Sequence, residues 1–289
     1  MDAFEYSRAQ SVDAAVRAGA MSPTAQQGAA VRFVAGGTNL IDMMKLNVER
    51  PKALVDINGL ALTGIARTPD GGLRIGALER NSDVAKHALV KSGYAVLSEA
   101  LLSGASPQLR NMATTGGNLL QRTRCMYFRD TAHACNKREP GTECSAIEGE
   151  NRTLAILGTS EHCIATNPSD QNVALMALDA VVEVQGVKGK RTIPIAEFYV
   201  VPGDTPERET VMQPGDVITA VTLPKMHAGV RSGYLKLRDR AAYEFALRQE
   251  GKVDYTPSRL FIYYGERQIE GTIESDAGAE IRDGMKVVA

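Results

Sequence analysis

The feature that most constrains this chain is a pair of glycines placed between a strand pattern and a helix pattern. Residues 31–34 have the β-branched and aromatic composition of a strand, and residues 40–45 have helical composition. Between them lies the sequence AGGTN, residues 35–39. Paired glycines can adopt positive φ and leave backbone N–H groups open to an anion such as phosphate. The loop matches neither the G-x-G-x-x-G nor the P-loop pattern, so taken alone it favours an ordinary tight turn.

A second pair of glycines changes this interpretation. Residues 110–119, RNMATTGGNL, repeat the combination of a small hydroxyl residue, two glycines and an asparagine. Two such loops predict one extended ligand that is contacted at two places, as a dinucleotide would be. Residues 168–170, PSD, place a carboxylate before a helical pattern, where it could accept a hydrogen bond from a ribose hydroxyl. A simple helix N-cap explains this last motif equally well.

The remaining pattern predicts a mixed α/β chain that begins with a βαβ-like unit. Hydrophobic periodicity and turn residues predict strands at 4–7, 53–57, 73–78, 181–185 and 217–223, helices from residue 12, over 84–102 with a break near Gly93, and over 173–180, and a loop over 104–118.

The charge balance excludes several classes of function. Lys and Arg total 33 and Asp and Glu total 34, so no overall field attracts nucleic acid or an anionic membrane.

No apolar run approaches the ~20 residues of a membrane span, and we expect no membrane insertion. The first residues, MDAFEY, lack the basic and apolar regions of a signal peptide, so export would require another signal. We find no convincing general base or nucleophile pair and predict no catalytic residue in this chain.

All four cysteines lie in one segment, at Cys125, Cys135, Cys144 and Cys163. Four thiolates suit a [4Fe–4S] cluster, and this interpretation is favoured. Zinc is an alternative, although the closely spaced cysteine pairs typical of structural zinc sites are missing. Disulfides or inert core cysteines are the remaining alternatives, and the polar sequence between the cysteines fits the core interpretation poorly.

Four motifs in order resemble the FAD-binding subunits of the molybdenum hydroxylases, the xanthine oxidase family. They are AGGTNL at 35–40, RNxATxGGNL at 110–119, PSD at 168–170 and YLKLRDR at 234–240. The resemblance covers roughly residues 1–247. It implies an α+β, two-subdomain FAD-binding fold of the vanillyl-alcohol oxidase and CO dehydrogenase flavoprotein type. The implied domains are a FAD-binding domain at 1–225, composed of a pyrophosphate-binding subdomain at 1–60 and a second subdomain at 61–225, and a C-terminal region at 226–289 that is atypical after 247.

The resemblance also implies which positions hold the cofactor. The first loop would wrap the pyrophosphate, and a lysine near the flavin would stabilise its reduced anionic form. The implied FAD-binding residues are Val34, Ala35, Gly36, Gly37, Thr38, Asn39, Leu40, Ala105, Thr114, Gly117, Asn118, Asp170, Ile218 and Lys236.

Most flavin subunits of this family pass directly from the GGNL loop to PSD, whereas here a segment at about 119–165 intervenes and holds all four cysteines. This segment resembles the insertion in the medium subunit of bacterial periplasmic aldehyde oxidoreductases, and a similar insertion occurs in 4-hydroxybenzoyl-CoA reductase. The resemblance implies a [4Fe–4S] cluster beside FAD, with Cys125, Cys135, Cys144 and Cys163 as its ligands.

The expected role is therefore an electron relay from partner subunits to an external acceptor. The implied partners are a large molybdenum-cofactor subunit and a small [2Fe–2S] subunit, which form a heterotrimer with this chain. The implied location is the periplasm, reached by co-export with a partner that carries the signal, and the alternative is the cytoplasm. Two rival functions stay open: a self-contained FAD-dependent oxidase and a zinc-stabilised, non-enzymatic binding protein.

Overall fold

The computed structural model describes residues 1–227 and 229–236. The chain divides into two units, Met1–Tyr234 and Leu235–Ala289, and all helices and strands of the described residues belong to the first. In the described part of the chain, no helix combines the length and the hydropathy that a transmembrane helix needs.

The described residues form helices and strands in mixed order, which confirms the predicted class. The strands are β1 (Glu5–Arg8), β2 (Val31–Val34), β3 (Ala53–Asp56), β4 (Ile65–Arg67), β5 (Leu73–Gly76), β6 (Val181–Gly186), β7 (Gly189–Pro194) and β8 (Val217–Leu223). The helices are α1 (Val12–Gly19), α2 (Leu40–Lys45), α3 (Asn81–Lys86), α4 (Ala88–Gly93), α5 (Ala95–Ser103), α6 (Pro107–Met112), α7 (Thr115–Leu119), α8 (Met126–Arg129), α9 (Asp170–Ala177) and α10 (Ile195–Phe198).

The first sheet is parallel, with strand order β1-β3-β2. Helix α1 connects β1 to β2 and α2 connects β2 to β3, which confirms the βαβ-like unit. Ser11 caps α1, because its hydroxyl accepts a 3.1 Å hydrogen bond from the N–H of Ala14. The carboxyl ends of β2 and β3 lie side by side, with Val34 opposite Asp56. The first glycine loop therefore leaves the sheet beside the end of β3.

The second sheet is antiparallel, with strand order β4-β5-β8-β6-β7. Strand β6 alternates between half-buried and buried side chains, so one face of the strand packs on the core. The largest apolar cluster lies between this sheet and helices α3, α5 and α9. A separate small cluster joins Met43 of α2 to the cysteine segment.

Two predictions about local structure are wrong in part. The helix expected over 84–102 with a break near Gly93 is divided there into α4 and α5, as predicted, but it is also divided at the extended His87, which separates α3 from α4. The loop expected over 104–118 contains α6, since the Ser106 hydroxyl caps the helix and Pro107 suits its first turn. Residues 115–118 of this predicted loop belong to α7. Strands β4 and β7 were not predicted.

Candidate functional site

The first glycine loop continues directly from β2. Gly37 has a φ of +70°, a conformation that residues with a Cβ rarely adopt. A Cβ built on Gly37 would also lie 3.2 Å from Cγ1 of Ile41. The carbonyl of Ala35 accepts a 2.9 Å hydrogen bond from the side-chain amide of Asn58. The structure thus supports the expectation that a special backbone conformation is required at this loop.

The two glycine loops are in direct contact. A Cβ built on Gly36 would overlap the carbonyl oxygen of Met112, 2.7 Å from the carbonyl carbon and 3.1 Å from Cα of Ala113. All three atoms belong to the backbone of the second loop, so a larger side chain could not be accommodated by a rotamer change. Gly36 therefore permits an approach of two backbones that no other residue type would allow.

Strand β5 and the residues that follow it hold the second glycine loop in place. The N–H of Gly116 donates to the carbonyl of Ala77 at 2.8 Å, and the N–H of Thr115 donates to Glu79 at 2.9 Å. The hydroxyl of Thr114 accepts from the N–H of Gly117 at 3.1 Å and so caps α7. Thr114 is buried and its hydroxyl accepts this N–H, so its side chain shapes the loop.

Asn118 joins the second loop to the start of α9. Its side-chain oxygen accepts from the Ser169 hydroxyl at 2.8 Å, and its amide nitrogen donates to Gln171 at 3.1 Å. Gln171 in turn donates to the carbonyl of Thr115 at 3.2 Å. The sequence pattern did not single out Gln171, which is buried and serves both motifs. The PSD motif thus acts as a helix cap and also supports the GGNL loop.

A cavity of about 1010 Å³ lies along both loops. Its volume is at the upper end of the range common for ligand sites. Most of the predicted FAD-binding residues line it. These are Ala35, Gly36, Gly37, Thr38, Asn39, Leu40, Ala105, Thr114, Gly117, Asn118, Asp170 and Ile218. The cavity therefore brings together motifs that are spread over more than 180 positions of the sequence.

One predicted position of the first unit, Val34, does not line this cavity. Val34 is the last residue of β2 and pairs with Asp56 in the sheet. Its neighbours in the loop, from Ala35 onward, provide the lining instead. Lys236 belongs to the second unit, and its role at the flavin stays a prediction.

The four cysteines of the 119–165 segment lie in a short, irregular part of the chain. All four are free thiols; Cys144 is half-buried and the other three are buried. Cys125, Cys135 and Cys144 belong to one apolar cluster. Cys135 and Cys144 form an isolated antiparallel bridge. Among residues 1–227 and 229–236, no group of three or more His, Cys, Asp or Glu side chains is arranged to hold a metal ion. The predicted metal site is therefore not confirmed.

Comparison with known proteins identifies the family. Residues 2–226 match the model of the family described as the FAD binding domain in molybdopterin dehydrogenase. This match covers most of the chain. The chain belongs to this family. The same region contains both glycine loops, the PSD motif and the whole lining of the cavity.

Individual relatives agree with this assignment. The chain is 55% identical, over 249 residues, to the aldehyde oxidoreductase FAD-binding subunit of Escherichia coli, with 86% of this chain and 76% of that protein covered. It is 27% identical to the carbon monoxide dehydrogenase medium chain of Hydrogenophaga pseudoflava, with 81% and 63% covered. A solved structure of carbon monoxide dehydrogenase from H. pseudoflava, which lacks the Mo-pyranopterin moiety, matches with a TM-score of 0.58, 25% identity and coverage of 82% and 64%. The chain spans less than two thirds of both carbon monoxide dehydrogenase chains.

Within this FAD-binding domain, Asp170 has a partner that the sequence pattern did not predict. Its Oδ1 accepts a 2.7 Å hydrogen bond from the Tyr234 hydroxyl. Burial raises the pKa of Tyr234 to about 12, and the hydrogen bond to Asp170 acts in the same direction. Tyr234 opens the YLKLRDR motif, so two of the motifs meet at one carboxylate. Asp170 lines the cavity while it is held by this phenol.

Burial sets the acid–base character of two cysteines. It raises the pKa of both the Cys135 and the Cys163 thiols. Backbone N–H groups of Lys137 and Arg138 donate to the sulfur of Cys135, and the buried Lys137 ammonium lies near Cys163; both effects oppose the increase. The positive charges and N–H donors around these sulfur atoms favour the thiolate over the thiol. They would prevail over the effect of burial if a bound metal ion also stabilised the thiolates.

A buried ionic network, which sequence patterns did not reveal, lies between the first glycine loop and the cysteine segment. Arg122 pairs with Glu49 and with Glu209, and Glu209 also pairs with Lys137 at 3.1 Å. Burial raises the pKa of Glu209, but the Arg122 and Lys137 charges outweigh it and hold the pKa below its usual value. The backbone N–H of Arg122 donates to the side chain of Asn39 at 2.9 Å. The network therefore reaches the AGGTN loop at one end and Lys137, close to the cysteines, at the other.

Proposed function

We propose that this chain is the FAD-carrying electron-transfer subunit of a molybdenum hydroxylase that oxidises aldehydes. The observation that carries the proposal is the 55% identity over 249 residues to the FAD-binding subunit of an aldehyde oxidoreductase. The described residues also provide a large cavity along two joined glycine loops, as a dinucleotide cofactor needs.

The glycine loops fit FAD in a specific way. Gly36 and Gly37 both line the cavity, and since neither has a side chain, only backbone faces it at these two positions. We assign the pyrophosphate to residues 35–40, with Gly117 and Asn118 of the second loop continuing along the cofactor. Ala105, Asp170 and Ile218 line the same cavity and complete the assignment. When bound, FAD supplies a centre that exchanges one or two electrons.

The cysteine segment is the proposed site of a [4Fe–4S] cluster, with Cys125, Cys135, Cys144 and Cys163 as ligands. The support is the donor set itself, four free thiols in one segment, three of which belong to one apolar cluster. Backbone N–H groups directed at Cys135 and the buried Lys137 and Arg138 side chains would offset the negative charge of four thiolates. A zinc site with the same four thiolates is the alternative, and measurement of bound iron and zinc distinguishes the two.

The proposed partners are a large molybdenum-cofactor subunit and a small [2Fe–2S] subunit in a heterotrimer. Electrons from the aldehyde would reach this chain through the small subunit and leave it to an external acceptor. We further propose that the complex assembles in the cytoplasm and is exported folded to the periplasm on a partner's signal, because cofactors are inserted during folding. Retention in the cytoplasm is the alternative location.

The test is to purify the chain anaerobically, alone and with its partner subunits, and to record the visible spectrum, the released FAD, iron, zinc and aldehyde oxidation. We expect bound FAD in both preparations, with aldehyde oxidation only in the complex. Aldehyde turnover by the lone chain would indicate a self-contained oxidase instead. Stoichiometric zinc without flavin or activity would indicate the non-enzymatic binding protein. Periplasmic delivery of the lone chain would contradict the co-export proposal.

A further inference from the structure

The side chain of Arg80 contacts the second glycine loop directly and the first glycine loop through Asn58, although Arg80 does not line the cavity. One guanidinium nitrogen, Nη1, donates to the carbonyl of Met112, the group against which Gly36 packs. The other, Nη2, donates to the side-chain oxygen of Asn58 at 3.3 Å. The backbone of Arg80 also pairs with Thr114 in an isolated antiparallel bridge.

Asn58 carries this contact to the first loop. Its amide nitrogen donates to the carbonyl of Ala35 at 2.9 Å and to Oδ1 of Asp56 at 2.8 Å. Asp56 is buried at the end of β3 and also accepts from Tyr6 and Arg8. Asn58 is thus fixed to the sheet on one side and to the loop on the other. Its one side-chain oxygen is the acceptor for Arg80.

We propose that Arg80 and Asn58 act as a pair of positioning residues that set the spacing of the two glycine loops and thereby the affinity for FAD. This inference rests on the proposed FAD binding at these loops. Neither side chain lines the cavity, and their effect passes through the carbonyls of Ala35 and Met112. Arg80 is only half-buried and Asn58 is exposed, so both lie outside the apolar core and can be replaced without a cavity.

The pair predicts a specific energetic signature. If both side chains are needed to keep the two glycine loops at the correct distance, removing either one should weaken FAD binding. Removing the second should then weaken it little further. Residues that share one network show such non-additivity, whereas distant residues add. The FAD dissociation constant should increase about tenfold for Arg80→Met, about tenfold for Asn58→Ala, and also about tenfold for the double variant, as expected when one hydrogen bond to a charged group is lost.

The test measures FAD and ADP dissociation constants of the apoprotein by fluorescence titration and competition, together with its melting temperature. ADP contains the diphosphate, so its affinity should fall in parallel with that of FAD. Arg74→Met is the matched control, because Arg74 forms an ion pair with Glu183 on the second sheet and is not part of either loop. Arg80→Lys keeps the charge and one donor and should recover part of the affinity. A purely structural role would instead lower the melting temperature and leave ligand affinity unchanged.

The outcomes are separable. Parental FAD affinity in Arg80→Met, or a double variant weakened about a hundredfold, would overturn the proposal, the latter because independent residues multiply their effects. Failure of the parent chain itself to bind FAD would contradict the proposed function rather than the pairing. If the melting temperature of Arg80→Met is well below that of Arg74→Met, the FAD affinity of Asn58→Ala becomes the deciding measurement, because Asn58 is exposed. Parental affinity in Asn58→Ala would then overturn the proposal.

Discussion

The glycine-loop region and the cysteine segment are built in opposite ways. The first loop follows the end of strand β2, and the second is held by backbone hydrogen bonds to Ala77 and Glu79, just after strand β5. The backbone contact at Gly36 fixes the two loops against each other. The 119–165 segment has one helix of its own, α8, together with the end of α7 and isolated bridges, and it buries Arg122, Lys137 and Arg138. The first region is held by contacts of its own backbone. The second region brings thiols and buried charges together with little regular secondary structure. We therefore expect its stability to depend on what it binds.

The largest expected effect is at the contact between the loops. Gly36→Ala should abolish measurable FAD binding, because its Cβ would meet the backbone of Met112, which cannot move away as a side chain can. Gly37→Val should also abolish binding, since it requires a β-branched residue at a φ of +70°. Gly93→Ala is the control, as no atom lies within 4 Å of its added Cβ. Flavin released after denaturation measures binding, and parental flavin content in Gly36→Ala would show that the loops are not preorganised in this way.

The next effect separates the two regions. If the proposed [4Fe–4S] cluster is present, Cys135→Ser should lose it, from roughly four iron atoms per chain to none, while the FAD content stays close to parental. Limited proteolysis should then cut within 119–165 sooner than elsewhere. Ser145→Ala, which removes a hydroxyl that donates to Ala134 but no thiol, should keep its iron. Equal iron in Cys135→Ser and the parent would rule out this cysteine as a ligand, and equal loss of FAD and iron would show that the regions are not independent.

Glu209 lies between the regions and tests how strongly they are coupled. Glu209→Gln leaves the buried Lys137 beside a neutral side chain, whereas Arg122 keeps its pair with Glu49, and loss of one partner of a buried ion pair typically costs about 3–5 kcal/mol. Chemical denaturation should show this loss of unfolding free energy. Glu197→Gln replaces an exposed carboxylate in α10 and should have little effect. Parental stability in Glu209→Gln would mean that the network does not stabilise the fold.

A smaller effect concerns pH at the first region. Burial raises the pKa of Asp56, but hydrogen bonds from Asn58, Tyr6 and Arg8 outweigh it and hold the pKa well below the usual 3.8. These bonds therefore stabilise the fold fully above about pH 4, and their contribution is lost as the pH falls further. Asp56→Asn should be about 2 kcal/mol less stable at pH 7 and should lose this part of the acid dependence.

The control for this pH dependence is Asp204→Asn, since the Asp204 side chain is 98% exposed. Urea unfolding curves between pH 7 and pH 2 measure the effect. An acid dependence in Asp56→Asn as steep as that of the parent would show that Asp56 is not responsible for it.

The sequence predicted the elements whose signal is local. Strand β2 and helix α2 lie where composition and the glycine pair place them, and the βαβ-like unit is confirmed. Strands β4 and β7 were missed, because β4 has three residues and β7, GKRTIP, has a mostly exposed pattern without clear alternation. Helix α6 was missed because its start depends on a cap, Ser106, within a stretch of small residues that is typical of a loop.

The site was predicted in part for a similar reason. Motif residues such as Gly36 and Gly117 carry their own signal, since glycine at a loop indicates a backbone requirement. Gln171 and Arg80 carry none, because each acts through a partner that is distant in sequence, and the motif that begins at Tyr234 does not reveal its contact with Asp170. Gln171 is 53 positions from Asn118, and Tyr234 is 64 positions from Asp170. Such roles follow only from the fold.

The most direct test of the account is a titration of the folded chain, freed of its flavin, with FAD. The account predicts saturable binding of one FAD per chain, with weaker binding in Arg80→Met, parental binding in Arg74→Met and none in Gly36→Ala. If the cysteine segment holds the proposed cluster, the parent should also keep this stoichiometry after the iron has been removed by chelation, because the contacts of the loops with each other and with Ala77 and Glu79 do not involve the cysteines. A folded parent chain that binds no FAD, or one that binds FAD only while iron is present, would contradict it.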